Sequence, residues 1–187
     1  MSSILNVNTI QNATGTSAMG IDSNGVVTRN VIPAWRVQRG SDQTVNSGGD
    51  LSIQLDTSND ASKQCFLQGG VTLNTGSPYG VIIPVTGLYH VSFVFRSNGF
   101  GSATNTQSLQ IVLRINNVTA HSQTSVVYAA DNAADSATAG IDLYKTHAGS
   151  STYQLSANDQ LNMITNGVND TTYVIAGGGF MSGHLIG

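Results

Sequence analysis

With 187 residues, of which 9% are charged against about 25% in a typical globular protein, the chain must draw its solubility from Ser, Thr, Asn, Gln and Gly. The net charge is −3, and the seven Lys and Arg residues are scattered, so no basic cluster is available for a phosphate backbone and nucleic acid is not an expected partner. Cys65 is the one cysteine, which excludes an internal disulfide framework and a zinc site built on several thiolates, and leaves Cys65 as a small buried apolar residue.

The N-terminus, MSSILNVNTIQ, has neither a basic start nor a long apolar run, and no stretch approaches the roughly 18 consecutive apolar residues of a membrane span. Membrane insertion is not expected, and any export is expected to use a route other than secretion. Residues 1 to 32 are rich in Asn, Thr, Ser and Gly, with short apolar patches only. Ile4, Leu5, Val7 and Ile10 predict one short extended segment. Ile21 to Val27 predicts a small hairpin, with Asn24-Gly25 suited to a type I′ turn. A lone hairpin is marginal in water. This arm, which could reach on the order of 100 Å if extended, therefore needs something to pack on and reads as an attachment device. Its docking side chains are expected to be Ile4, Leu5, Val7 and Ile10.

The body, residues 33 to 187, starts at Pro33-Ala34-Trp35-Arg36-Val37-Gln38, a predicted strand whose Trp35 is a core or interface anchor. Leu51, Ile53 and Leu55 alternate with Ser52 and Gln54, predicting a half-buried strand. Phe66-Leu67 and Val71-Thr72-Leu73 follow, separated by Gly69-Gly70, and Val81-Ile82-Ile83 leads to Pro84. The strongest alternation comes next. Tyr89, Val91, Phe93 and Phe95 share one face, opposite His90, Ser92 and Arg96, with Val94 the apolar exception; Gly87 is expected to let the chain turn tightly before this strand.

In the second alternation Leu109, Ile111, Leu113 and Ile115 oppose Gln110, Val112, Arg114 and Asn116. Asn116-Asn117 supplies a turn, and residues 118 to 128 return as the partner strand. Residues 129 to 140 predict a surface loop. Segments 140 to 146, 153 to 155, 161 to 165, 173 to 176 and 180 to 186 complete the series, with no amphipathic helix of useful length. About ten short strands separated by turns predict an all-β sandwich or closed barrel.

Four stretches carry a resemblance. TGLYHVSFVF at 86 to 95, LRINN with Val118, LSANDQLNMIT at 155 to 165 and FMSGHLI at 180 to 186 resemble, in order and spacing, the globular head of the complement first component and its tumour-necrosis-factor relatives. Val91-Ser92-Phe93, Asn117 and Asn158-Asp159 depart from that pattern, and at two turns asparagine stands where glycine is usual. Asparagine also tolerates the left-handed conformation. The resemblance implies a ten-stranded jelly-roll sandwich over residues 33 to 187 that forms a homotrimer. Trp35, Tyr89, Val91, Phe93, Phe95, Ile111, Leu113, Ile115 and Phe180 then form the expected core and trimer-interface set. That is more apolar surface than one strand pair needs, so one set is left for burial between subunits.

The arm has a resemblance of its own. SILNVNTIQNATGTSAMGIDSNGVV is similar to the N-terminal segment of many virion proteins of tailed phages, especially aquatic ones and cyanophages, where it precedes a C-terminal β domain; here Val31-Ile32-Pro33-Ala34-Trp35 occupies the junction.

Chemistry is sparse. His90, His121, His147 and His184 lack any spacing that would place two on one helical face, so each is expected to be an ordinary surface or interface residue, although a three-fold axis would turn one axial histidine into three ligands. Asp131, Asp135 and Asp142 lack the spacing of a calcium loop and are expected in a solvated loop. No nucleophile elbow, phosphate loop or dinucleotide fingerprint occurs, so neither catalysis nor a cofactor is expected. The preferred expectation is a trimeric capsid decoration or cement knob on a phage virion surface, gripping the major capsid protein or another virion protein through its arm. The alternative is the tip of a tail fibre or spike that contacts a host surface receptor or glycan, since a short arm suits a capsid foot better than a long stalk. A free complement-like ligand comes last.

Overall fold

The computed structural model describes residues 9–11, 17–21, 23–29, 32–45, 50–56, 60, 62, 64–98, 107–118, 120–128, 145–168 and 173–187. The chain divides into two compact units, residues 1–32 and 33–187.

In the first unit, β1 (Thr9–Gln11), β2 (Ser17–Ile21) and β3 (Val27–Arg29) pair antiparallel in that order. The hairpin is present, with Ile21 opposite Val27, but its turn differs from the predicted one. Five residues separate the paired positions, and Gly25 alone among those described has a positive φ, 77°, whereas a type I′ turn needs one at both central residues. Ile10, Ile21, Val26 and Ile32 are exposed. Short strands of this size have no second layer under which to bury them.

The second unit continues with β4 (Ala34–Gln38), β5 (Gln43–Val45), β6 (Leu51–Ser52), β7 (Phe66–Gln68), β8 (Thr72–Asn74), β9 (Gly80–Ile82), β10 (Gly87–Asn98), β11 (Gln107–Ile115), β12 (Ala120–Tyr128), β13 (Lys145–Leu155), β14 (Gln160–Val168), β15 (Tyr173–Ile175) and β16 (Phe180–Leu185). They form two antiparallel sheets. The first runs β7-β4-β16-β10-β13, with β15 and β5 joined at the Ser97–Asn98 end of β10; the second runs β8-β9-β14-β11-β12, with β6 beside β14. Gly69 and Gly70, at φ 66° and 84°, carry the chain from β7 in one sheet to β8 in the other. Backbone of that sign suits glycine, which has no Cβ to clash.

The core lies between the sheets. Tyr89, Val91, Phe93 and Phe95 of β10, Trp35 and Val37 of β4 and Met181 of β16 belong to one buried cluster with Leu109, Ile111 and Leu113 of β11 and Leu161 and Met163 of β14. The two alternating faces thus bury each other within one chain, and the expected surplus set for a subunit interface is not left over. On the other face of β11 and β14, Val112 and Ile164 are paired in register and also buried.

Close packing in the first sheet depends on missing side chains. A Cβ on Gly149 of β13 would lie 2.6 Å from Cζ of Phe93, its partner in register, and one on Gly183 of β16 would lie 2.6 Å from Cη2 of Trp35. Phe95 covers Gly179 in the same way. Gly87 has a related role, because a Cβ there would strike Leu185, so it serves close approach of β16 rather than a tight turn. These rings explain why β13 runs eleven residues where only its ends were expected. Its middle is polar in sequence because the apolar contribution comes from the neighbouring strand.

Leu51 to Leu55 also departs from expectation. Only Leu51–Ser52 pairs as a strand, with Leu51 exposed. Beyond it Ile53 N still donates to Met163 O at 2.8 Å, while the side-chain amide of Gln43 donates from Nε2 to Ser52 O at 3.1 Å and accepts from Gln54 N at 3.0 Å; Ile53 and Leu55 are buried as the alternation predicts. Cys65 is buried at the start of β7, its Sγ 3.6 Å from Gln38 Oε1.

Replacing Gly149 or Gly183 with Ala should lower stability by about 1–3 kcal/mol each through overpacking. Gly76→Ala, where the added carbon meets Asn74 Oδ1 at 3.5 Å, should change it little. Phe93→Ala or Phe95→Ala should cost about 3–5 kcal/mol. Denaturant unfolding of the five variants tests the packing scheme.

Candidate functional site

The face of the first sheet that points away from the core follows from the same alternation. β10 presents Leu88, His90, Ser92, Val94 and Arg96, and register sets Phe180, Ser182 and His184 of β16 beside Val94, Ser92 and His90. On the other side β13 adds Thr152, Ser150 and Ala148, while β4 adds Ala34, Arg36 and Gln38 next to β16. Six of these fourteen side chains are Ser, Thr or Ala, and none of the four strands contains Asp or Glu.

Local contacts tie this face together. Ser92 Oγ and Ser182 Oγ share a hydrogen bond at 2.9 Å, Ser150 Oγ lies 3.1 Å from His90 Nε2, and the Arg36 guanidinium stacks 3.7 Å above the Phe180 ring. At one end, Val85, Leu88 and Ile186 are exposed, with Ile186 N donating to Leu88 O at 2.8 Å. An apolar end beside a field of hydroxyls, with Arg36 and Arg96 as the charged groups, suits contact with another protein.

The structure sorts the expected residues. Trp35, Tyr89, Val91, Phe93, Phe95, Ile111 and Leu113 are core residues of the single chain, and Ile115 packs partly buried against them. Phe180 is half-buried and is the one member on the outward face. Ile4, Leu5 and Val7 lie outside the described residues, as do Asp131, Asp135, Asp142 and the side chain of His121, while Ile10 is exposed. Among the described residues, no group of three or more His, Cys, Asp or Glu is placed to hold a metal.

Two buried polar groups differ from the sequence reading: Arg39 was not singled out, and His147, expected as an ordinary surface or interface residue, is enclosed in the sandwich. Arg39 is 2% exposed; its Nη1 donates to Gln54 O at 3.1 Å and Oε1 at 3.0 Å, and its Nη2 to Asp42 O at 2.9 Å, while burial lowers its pKa despite Asp56 and Asp42 nearby. His147 is 1% exposed, paired with Phe95 on the inward side of β13, and its Nε2 lies 3.0 Å from Ser97 Oγ. Burial pushes its pKa down to about 4. The signal for His147 was its place in the alternation of β13, which becomes visible once that strand is followed through its polar middle.

The strand order β4-β16-β10-β13 over β9-β14-β11-β12 sets the comparison with known proteins. The chain is similar to the solved structure of Eiger TNF from S. frugiperda, with a TM-score of 0.54 and 14% identity over 85% of this chain and 94% of the other. The fold is a tumour-necrosis-factor-like jelly roll. At this identity the likeness is one of fold. No protein-family profile matches the chain, and no curated protein sequence does.

Within the jelly roll, the departures at the turns have a physical account. Asn116 and Asn117 take φ 53° and 58° at the β11–β12 tip, with Val118 N bonded to Ile115 O at 3.0 Å, and Asn158 takes φ 70° between β13 and β14. Asparagine adopts the left-handed backbone that glycine would otherwise supply. The side chain of Asn116 then joins the turns, donating to Asp159 Oδ1 at 2.7 Å and accepting from Gln160 N at 2.9 Å.

His147 makes the jelly roll sensitive to acid. Its folded pKa of about 4 lies below the ordinary value near 6.5, so the unfolded chain binds the proton first. The neutral form carries no penalty above pH ~6.5, and stability falls as pH drops from ~6.5 to ~4, by at most about 3 kcal/mol. His147→Gln should flatten this part of the pH profile. Denaturant midpoints at pH 7 and pH 4.5 for both proteins would show it.

Proposed function

We propose that the protein is a non-enzymatic structural element of a tailed-phage virion, a trimeric jelly-roll knob that decorates the capsid and is held by its N-terminal unit. The observation that carries this reading is the contrast between the two units. The body encloses a large buried apolar cluster and exposes only part of its large apolar side chains, while the first unit exposes Ile10, Ile21, Val26 and Ile32 and has no fully buried side chain among its described residues. Such a segment gains its stability on a partner surface, and the similarity of its sequence to phage virion N-termini points to the major capsid protein or another virion protein as that partner.

The outward face of the first sheet is the face we assign to contacts between copies. Arg36 and Arg96 are its charged groups, and its serine and threonine hydroxyls can be covered at little cost where they keep hydrogen-bond partners, as Ser92 and Ser182 do with each other. Each fully buried aliphatic of the arm contributes roughly 1.5–3 kcal/mol, which the conformational entropy lost on docking offsets, so one arm binds weakly. Three arms on one trimer engage together and hold firmly without any new contact.

Sedimentation of the purified protein should give a particle of three 19.5 kDa chains. Ser92→Arg with Ser182→Arg should convert it to a folded monomer. Polar replacement of Leu5 and Val7 should release intact knobs from particles without unfolding them. A monomeric native protein would remove the trimer from this proposal, and full decoration by the arm variant would move attachment to the body. Density on the tail rather than on the capsid, in electron micrographs of the virion, would favour the receptor-binding tip.

A further inference from the structure

His90 and His184 are far apart in sequence, and the antiparallel register of β10 and β16 sets them directly opposite each other. Both point outward from the first sheet, His90 half-buried and His184 exposed. Their ring centroids are 5.8 Å apart, with the planes inclined at 53°. Two imidazoles that share one first-row metal ion, with nitrogens about 2.0–2.1 Å from it, hold their centroids about 5–6 Å apart. The pair therefore has the spacing of a two-nitrogen clamp without movement of the strands.

The surroundings suit an ion. Ser150 Oγ, 3.1 Å from His90 Nε2, provides the outer hydrogen bond that metal-binding imidazoles generally carry, which fixes the ring and leaves Nδ1 as the ligand. Thr152 beside His90 and Ala34 beside His184 are small, so water has room to complete the coordination. Arg36 shares the face, but its guanidinium is stacked over Phe180, which pairs with Val94 rather than with the histidines. The donor set selects the ion. Neutral ring nitrogens without a carboxylate on these strands disfavour calcium and magnesium, which prefer oxygen, and favour the later first-row ions.

We propose that His90 and His184 form a binding site for a divalent transition-metal ion of the Zn2+, Ni2+ or Cu2+ class, with water in the remaining positions. The site stands on geometry within one chain and is independent of the virion assignment. Calorimetric titration of the full chain with Zn2+, and separately with Cu2+, at neutral pH should show one ion per chain with micromolar affinity. His90→Asn and His184→Asn should each weaken binding tenfold or more. The electron paramagnetic resonance spectrum of the Cu2+ complex should carry the splitting of two imidazole nitrogens, falling to one in either variant. The site is overturned if the native chain shows no saturable binding below about 100 µM. It is equally overturned if the double variant binds as tightly with an unchanged spectrum, which would place the ion on other donors. Should the variants fail to fold, fewer than two nitrogens in the native spectrum would by itself refute the proposal.

Discussion

An aromatic ring can lie flat on a neighbouring strand only where that strand lacks a Cβ, and the first sheet is built on this constraint. Trp35 rests on Gly183 of β16, Phe93 on Gly149 of β13 and Phe95 on Gly179 just before β16, so three large rings from β4 and β10 occupy space that these glycines leave empty. The inner layer becomes dense without lengthening the gap between strands. With the apolar demand met by a few rings, the outward positions of the same strands are released from packing and carry serine, threonine, alanine and histidine beside Arg36 and Arg96. The polar outer face is therefore a by-product of how the inner face is filled.

At the other end of the sandwich, polar groups do the fastening. Asn116 bridges the β11–β12 tip to the β13–β14 turn through Asp159 and Gln160, and Asn158 N donates to Ile83 O at 2.8 Å, which fixes the end of β9 to the same corner. Near β5, Gln43 and Arg39 bond Ser52 O, Gln54 N and Gln54 O, while Ile53 N pairs with Met163 O of β14. A buried amide or guanidinium that bonds several backbone groups avoids the cost of leaving them unpaired. Asp50 adds an exposed tie between sheet neighbours by pairing with Arg114 and accepting from Asn166 Nδ2 at 2.9 Å.

Much of this was legible where one residue's environment is set by its own strand. The alternations at 89–95 and 109–113 named the core because both faces of each strand differ sharply in polarity. The middle of β13 was not legible, since its burial depends on Phe93 in another strand and glycine gives no hydropathy signal. Of the alternation at 51–55, Ile53 and Leu55 are buried and Leu51 alone is exposed. The type I′ preference was assigned to Asn24-Gly25, but the left-handed pair is found at Asn116-Asn117, where the two strands are long enough to impose their twist. The meeting of His90 with His184, and of His147 with Ser97, depends on register between distant strands, which a single sequence does not encode in any local pattern.

Cys65 gives the molecule an internal clock. The one thiol of the chain is enclosed at the start of β7, the strand that flanks β4, so a thiol reagent in solution reaches it only when that margin of the sheet swings away. Thiolate chemistry is fast once the sulfur is accessible, and the labelling rate therefore counts openings of this corner. Because the rate depends on denaturant weakly for a local opening and steeply for a global one, a single natural atom distinguishes fraying of the sheet margin from unfolding of the whole sandwich.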